Sequence, residues 1–419
     1  MNEILYTPNN VDIAFVELYN YAGKKLDITK LFRFIEIDED IFSSVLSGRI
    51  GIADTNDLHQ NFPLIGEETL TIKFRTMNGM PFRELKFAIF NDAGKSYSGE
   101  VAVFVLEFSS EEYITSRSFR LDTSFKNMTS PDIISNVLKN NLGSKKTIYS
   151  SKSTNSINFV ATNIFPFELV SSLLSRSRGD KFGDYGLMFW ESMDGFHLES
   201  IDELISSTPL VYTLSQRSGI SLPADCLQVI NAHVVEESFN LLDRMTHGAF
   251  GTETVIFDPI KRTTSVSKFD YFNNVDYESL NNMSGQSPNL RIQTSEFKYK
   301  NAQKRVMKVS NGVRSDGMSL RLARLNWIES GYRIRVEIPG NSDARVGNVF
   351  DVRWPSHTGV DMKELKLDKY VSGKYLNTSM RHVITAGHKY ICNCVLVKDS
   401  LDASPERESG KTSKRIGMI

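Results

Sequence analysis

Cysteine is nearly absent: Cys226, Cys392 and Cys394 are the only three in 419 residues. They cannot build a disulfide framework, and synthesis in a reducing compartment is expected. Long apolar runs are missing too. No stretch approaches the ~20 apolar residues of a membrane span, so no membrane anchor is expected. Met1-Asn2-Glu3-Ile4 does not lead a basic segment into an apolar one, so a signal peptide is not expected either. There is no excess of one charge: 49 Lys and Arg against 50 Asp and Glu leave a net −1. That balance argues against a protein that works by gripping phosphates, but not against one that lets nucleic acid pass. No unit repeats at a fixed period of about 20–50 residues, which excludes a solenoid. Motifs of common catalytic sites are also lacking: no GxSxG, no GxxxxGK[ST], no HExxH. Gly94-Lys95-Ser96-Tyr97-Ser98-Gly99 lacks the leading glycine of a phosphate loop.

What is present is a chain rich enough in apolar residues, at 40%, to bury real cores. Its length exceeds the roughly 250–300 residues at which one core stops growing, so two to four domains are expected. The first 120 residues read as strand. Leu70, Ile72 and Phe74 alternate with Thr71 and Lys73, and Phe87, Ile89, Val101, Val103 and Val105 continue the period of two. Gly23-Lys24-Lys25, Met77-Asn78-Gly79 and Asn91-Asp92-Ala93-Gly94 read as turns.

From about residue 124 the pattern changes. Ser130-Pro131-Asp132 offers a capping hydroxyl, an early proline and a first-turn acid, and Ile133, Ile134, Val137 and Leu138 then share a face. Asn141-Leu142-Gly143 stops that helix. A second starts near Pro166 with Phe167, Val170, Leu173 and Leu174 inward. Leu187 to Trp190, a turn at Met193-Asp194-Gly195, and Phe196-His197-Leu198 form a hairpin. Residues 272–290, rich in Asn and Ser, read as an exposed loop. A helix is expected from Ser315 to Trp327, with Met318, Leu322, Leu325 and Ala323 inward and Arg321 and Arg324 outward. Tyr332, Ile334, Val336 and Ile338 alternate with charged residues in a half-buried strand, and further strands follow to Val397.

Candidate chemistry is thin. His382, His388, Cys392 and Cys394 fall close together and are soft enough for zinc, but the spacing is unusual, and strand residues are the favoured reading. Glu36, Asp38, Glu39 and Asp40 form an acidic run, read as a solvated strand end. Arg178-Gly179-Asp180 reads as a turn after a helix, and Asn377-Thr378-Ser379 is a glycosylation sequon only in a secreted chain. His59, His197, His233, His247 and His357 have no partner spacing, and Trp190, Trp327 and Trp354 read as core or interface aromatics. No catalytic, cofactor-binding or metal-ligating residue is assigned, no cofactor is expected, and the chain reads as non-enzymatic.

Three stretches together resemble one family, the baseplate hub proteins of contractile-tailed phages, including the T-even hub and the hub half of type VI secretion spikes. The first runs Ile35-Glu36-Ile37-Asp38-Glu39-Asp40-Ile41-Phe42, Leu46 to Asp54, then Asn61-Phe62-Pro63-Leu64-Ile65-Gly66-Glu67-Glu68. The second is Met188-Phe189-Trp190-Glu191 through Leu198. The third is Ile338-Pro339-Gly340-Asn341, Arg345-Val346-Gly347-Asn348-Val349, Ser372 to Ser379, Arg381-His382-Val383-Ile384 and Tyr390 to Leu401. Pro339-Gly340-Asn341 and Val346-Gly347-Asn348 would turn short barrel strands back, and Gly373 would let a strand bend.

The resemblance implies a mainly β fold with α+β insertions: two tail-tube-like antiparallel β-barrel domains plus smaller α+β domains. The expected division is 1–123 for the first barrel, 124–215 for an α+β middle domain, 216–244 with 300–402 for the second barrel, 245–299 for an inserted loop or small domain, and 403–419 for a flexible tail. It further implies a homotrimeric ring in a virion tail, adapting the hexameric tail tube, or its initiator protein, to a trimeric central spike. Neighbouring baseplate proteins would contact it, and DNA would pass the lumen without sequence-specific binding. A channel for DNA is expected to be neutral to acidic inside. The alternatives are a peptidoglycan hydrolase or a glycan-binding component of the tail tip, for which Tyr271, Phe272 and Tyr277 are the aromatic candidates. A secretion spike would usually continue into a β-helix beyond Ile419.

Overall fold

The computed structural model describes residues 9–54, 62, 64–76, 81–98, 101–180, 186–214, 229–237, 241–249, 251–259, 261–270, 280–281, 304–309, 315–329, 331–354, 367–368 and 370–399. The Met77-Asn78-Gly79 turn, His59, His357, Cys226, Tyr271, Phe272, Tyr277 and the 403–419 tail lie outside the described residues.

The N-terminal strands are β1 (Asp12–Tyr19), β2 (Lys25–Asp27), β3 (Phe32–Asp40), β4 (Ser47–Asp54), β5 (Thr69–Arg75), β6 (Arg83–Ser98) and β7 (Val101–Ser110). They pair in the order β2-β1-β5-β6-β7-β4-β3. Leu70, Ile72 and Phe74 are buried, as their alternation requires. In β7 the buried set is Phe104, Leu106 and Phe108, not Val103 and Val105. Both sets are apolar there, so periodicity alone could not choose the inward face. Asn91 to Gly94 is no turn: it lies within β6, whose register shifts at Ile89/Asn91 and Asp92/Gly94 mark bulges.

The first 120 residues are not all strand, because α1 (Glu111–Ser118) follows β7. Then come β8 (Leu121–Thr129), α2 (Ser130–Asn136), β9 (Ile148–Ser150), β10 (Ser156–Ile164), α3 (Pro166–Leu174), β11 (Leu187–Ser192), β12 (Gly195–Ser200) and α4 (Ile201–Ile205). The cap of α2 is Thr129, whose hydroxyl accepts from Asp132 N–H; Ser130 is already helical. The helix ends in a π turn over Val137–Asn141, and Gly143 has the left-handed φ of +65°. β8 pairs with β10, and β11-β12-β9 form a small sheet. These elements enclose a second core that includes Ile133, Ile134, Leu169, Leu173, Phe189 and Phe196.

The chain continues through β13 (Leu210–Leu214), β14 (Val229–Ile230), β15 (Ala232–Glu237), α5 (Leu241–His247), β16 (Gly251–Asp258), β17 (Thr263–Asp270), β18 (Lys304–Val309) and α6 (Ser315–Glu329). The last strands are β19 (Tyr332–Pro339), β20 (Val349–Arg353), β21 (Gly373–Thr385) and β22 (Tyr390–Lys398). β17-β16-β18 make a separate three-stranded sheet. Of the expected exposed loop 272–290, Leu280 is buried, and Asn281 binds the backbone of Lys374. In α6, Ala323, Trp327 and Ile328 are buried, but so is Arg324, which was expected to face water. Its guanidinium meets Asp202 of α4, and Arg321 bonds the Leu187 carbonyl.

The C-terminal strands close a ring. β13 pairs with β20, β20 with β21, β21 with β22, β22 with β19 and β19 with β15. β15 continues from β14 across Asn231, and β14 pairs back onto β13. The barrel is antiparallel except at β13, which runs parallel to both neighbours. The second half of β21 also pairs with β3, Ser379–Thr385 against Asp40–Phe34. One 14-stranded sheet therefore passes from the N-terminal strands into the C-terminal ring, over one shared core. The gap between β1 and β3 is spanned by the turn at Ile28–Leu31 and by the β21–β22 turn, where Val11 N–H bonds His388 and Ala386 N–H bonds Arg33. The strand edges that meet here are thereby removed from solvent.

Gly48 shows how tightly β4 is packed. A Cβ there would stand 2.1 Å from the Glu36 carbonyl and 2.6 Å from the Phe108 ring.

Candidate functional site

The β11–β12 hairpin lies where the N-terminal sheet, the middle core and the loop before β20 meet. Its strands pair from Leu187↔Ser200 to Ser192↔Gly195, and every residue of β11 is buried. Phe189 and Phe196 stack at 5.6 Å on the side of the middle core. Trp190 turns toward the barrels, under Gly347, where a Cβ would come within 2.8 Å of the indole. Gly347 also has φ +90°, so glycine is required there twice over.

Three carboxylates fix the hairpin tip. Glu39 of β3 is 1% exposed. One of its oxygens accepts Met193 N–H at 2.9 Å, and the other accepts Val346 N–H at 3.1 Å. One side chain thus ties the N-terminal sheet to the hairpin and to the loop before β20. His382 Nε2 of β21 lies 3.7 Å away from it. Glu191 points the opposite way. It accepts from Leu46 N–H at 2.9 Å, Ser110 Oγ at 2.6 Å and Lys146 Nζ at 2.6 Å. Lys146 also holds Glu112 at 2.6 Å. Burial would lower the pKa of Lys146, but Glu191 and Glu112 outweigh it and hold the ammonium above its ordinary value. Asp194, in the turn, bonds Arg345, Ser192 and His197. Burial raises its pKa, and the His197 and Ser192 hydrogen bonds with the Arg345 charge drive it well below the usual carboxylate range.

A second feature runs over the outside of the long sheet. Cross-strand partners line up from Asn91 to Glu107, Arg49, Glu36 and onward across the β3–β21 junction through Asp38 and Arg381 to Asn393 and Glu337. Arg49 meets Glu36 at 2.5 Å, and Arg381 meets Asp38 at 2.6 Å and Glu36 at 3.8 Å. Asn91 donates to Glu107 at 2.8 Å. Glu36 lies directly across from Val383 of β21, so the row steps from Glu36 to Asp38 at the seam; along it Glu36, Asp38, Glu107 and Glu337 outnumber Arg49 and Arg381.

The acidic run is therefore split. Glu36 and Asp38 belong to this outer row, whereas Glu39 is buried and structural; the alternation of a strand decides which. His382 and Cys392 meet in the core, Nδ1 3.3 Å from Sγ and 2.7 Å from the Tyr390 hydroxyl. His388 sits apart in an exposed turn, and Cys394 is buried further along β22. Among the described residues no group of three or more His, Cys, Asp or Glu is placed to hold a metal. Arg178-Gly179-Asp180 lies after α3, with Asp180 N–H on Lys152. Asn377 is fully buried and donates to the Arg345 carbonyl. His233 stacks edge-on against Trp354 at 4.0 Å, and His247 pairs with Asp243.

A cleft of about 600 Å³ opens between α1, β6, the loop 142–147 and the hairpin tip. Its carboxylates are engaged: Glu112 and Glu191 by Lys146, Glu111 by Lys86, Glu84 by Lys73 and Asp194 by Arg345. Among the described residues no helix is long and apolar enough to cross a membrane.

Sequence reasoning missed the joint, because its partners lie far apart in the chain. The one local signal was Ser192-Met193-Asp194-Gly195, a polar turn between two apolar strands. His197 has no partner at a telling spacing in the sequence, yet Asp194 and Glu199 stand at its two ring nitrogens.

No protein-family model matches the chain, and no curated protein matches it. Solved structures do. A tail protein from Neisseria meningitidis MC58 has a TM-score of 0.53 at 11% identity, covering 92% of this chain and 96% of that one. The 43 kDa tail protein of prophage MuSo2 from Shewanella oneidensis also gives 0.53 at 11%, covering 92% and 98%. Prophage tail protein gp18 from Listeria monocytogenes EGD-e gives 0.50 at 9%, covering 94% and 96%. Over nearly its whole length, the chain has the fold of these phage tail proteins.

Proposed function

We propose that this chain is a structural hub of a contractile phage tail baseplate, carried in the virion. Three copies form a ring that adapts the hexameric tail tube to a trimeric central spike and encloses part of the DNA channel. The domain division given above, with 1–123 and 216–244 plus 300–402 as the two tube-like units of each copy, is kept in this proposal with two adjustments: β13 (Leu210–Leu214) joins the second unit, and β18 (Lys304–Val309) goes with the inserted 245–299 segment. The observation that carries the reading is the unbroken sheet through β3 and β21 with its polar, ion-paired outer row. Two barrel-like units fused edge to edge supply in one chain what two neighbouring tube subunits supply in a hexamer. Three such chains then present six units. The outer row suits a channel wall, since its excess of carboxylates repels phosphate and leaves DNA free to slide. No catalytic step is assigned.

The test is mass in solution by light scattering, with the purified chain alone and mixed with the candidate spike protein. A trimer, or a three-to-three complex, supports the ring. A monomer under both conditions overturns it and directs attention to cell-wall hydrolysis and glycan binding.

A further inference from the structure

His197 is fully buried beneath the hairpin tip, and both of its ring nitrogens face carboxylates. Nδ1 is 2.9 Å from Glu199 Oε1, and Nε2 is 3.0 Å from Asp194 Oδ1. Ser192 Oγ is 2.9 Å from Nε2. The ring is held flat between Trp190, at 5.1 Å, and Tyr149 of β9, at 4.7 Å. Arg345 stands over the outer face of that Tyr149, 5.7 Å from its centroid, and bonds the second oxygen of Asp194. An ionised carboxylate can only accept. A neutral imidazole has one donor, so it would turn a lone pair toward one of the two carboxylates.

We propose that His197 is a doubly protonated imidazolium at neutral pH, and that its charge is the catch of a pH-sensitive latch closing the hairpin tip onto the C-terminal barrel. Loss of the proton sets a ring lone pair against Asp194 or Glu199. Asp194 then loses a partner while still holding Arg345, which adjoins Val346, the residue bound to Glu39. The charged groups facing His197 are Asp194 from the turn and Glu199 from its own strand, with Arg345 and Tyr149 behind them. Burial would lower its pKa, but the Asp194 and Glu199 hydrogen bonds raise it above the ordinary value. The stabilisation is therefore complete below the ordinary histidine range and is lost as pH rises through the raised value. The latch stands whether or not the chain forms a ring.

The test is histidine-selective nitrogen-15 NMR on the full chain across pH 5 to 10. The His197 ring nitrogens are expected to stay in the imidazolium form beyond the pH at which exposed histidines titrate. Glu199→Gln removes one carboxylate at a partly exposed position, and the midpoint is expected to fall by about one pH unit. Hydrogen exchange at Met193 and Val346, corrected for intrinsic base catalysis, is expected to quicken as His197 deprotonates, at lower pH in the variant. A neutral His197 at pH 7, an unmoved midpoint in the variant, or tip exchange indifferent to the titration would each overturn the latch.

Discussion

Glu39 offers the sharpest test of how the molecule is joined. Its two oxygens accept buried backbone N–H groups from Met193 and Val346, in two different parts of the chain. A hydrogen bond to a charged group contributes about 1.5–3 kcal/mol, and a buried donor left unpaired costs about 1–3 kcal/mol. Glu39→Ala strands both donors, so a loss of about 3–5 kcal/mol is expected, which is a large share of the roughly 5–15 kcal/mol of a typical fold. Glu39→Gln keeps the shape and one acceptor oxygen, but its amide N–H₂ must face one of the two N–H groups. About half the loss is expected for it. Urea unfolding gives the order wild type, Gln, Ala. Amide exchange at Met193 and Val346 shows where the loss falls: both quicken in the Ala variant and one in the Gln variant. If Glu39→Ala costs under about 1 kcal/mol with both amides still protected, the joint is held by packing alone and the reasoning fails.

Four further outcomes are expected. Gly347→Ala combines a left-handed backbone with a Cβ 2.8 Å from Trp190, and should cost about 1–3 kcal/mol with a shift in tryptophan emission. Arg324→Leu leaves Asp202 buried without its guanidinium and should cost about 3–5 kcal/mol, whereas Arg324→Leu with Asp202→Leu should recover much of it in a thermal melt. Lys398 is 1% exposed and donates to the carbonyls of Tyr370, Val371 and Ser372, over the rings of Tyr332 at 4.9 Å and Tyr375 at 4.7 Å. Lys398→Met should cost about 2–4 kcal/mol and open the 370–372 turn to limited proteolysis. On the acid side, Asp194 and Glu112 are held below their ordinary values, Glu112 because Lys146 outweighs its burial. Their stabilisation is present above the ordinary carboxylate range and fades as pH falls through the depressed values, so unfolding free energy should drop over that acid range, as read by urea unfolding at stepped acid pH, and an Asp194→Asn variant should show less of the drop.

Much of the fold was legible because strand and helix periods are local. The alternations at Leu70–Phe74 and Tyr332–Ile338, the proline starts at Pro131 and Pro166, and the hairpin at Asp194-Gly195 all follow from residues a few positions apart. The failures have physical causes as well. In β7 two apolar sets alternate, so the inward one could not be chosen. In α1, Glu111 and Glu112 give no apolar stripe, because Glu112 is buried by an ion pair with Lys146, from a loop 34 residues on. Arg324 read as an outward charge for the same reason: its partner Asp202 lies 122 residues away. Charges buried by distant partners leave no trace in local periodicity, and they make up most of the joint.

That pattern says why the joint is polar. Apolar packing between two barrels would tolerate sliding by a residue or a slight rotation, because dispersion is non-directional. The β3–β21 register fixes one direction but leaves the sheet free to twist about that seam. Glu39 of β3 bonds both the hairpin and the loop before β20, Glu191 ties the hairpin to Leu46, Ser110 and Lys146, and Asp194 ties it to Arg345, at hydrogen-bond lengths that fail over a few tenths of an ångström. In the proposed ring, the angle between the two tube-like units of each chain would have to be set before assembly, since any error would recur at each unit. Under that proposal the hairpin tip supplies the setting from within one chain. Gly347 or Glu39 variants that fold but lose it should therefore fail in assembly more than in stability. Light scattering on a folded Glu39→Gln chain makes the comparison: if it assembles as well as wild type while its two amides exchange differently, the hairpin does not set the angle.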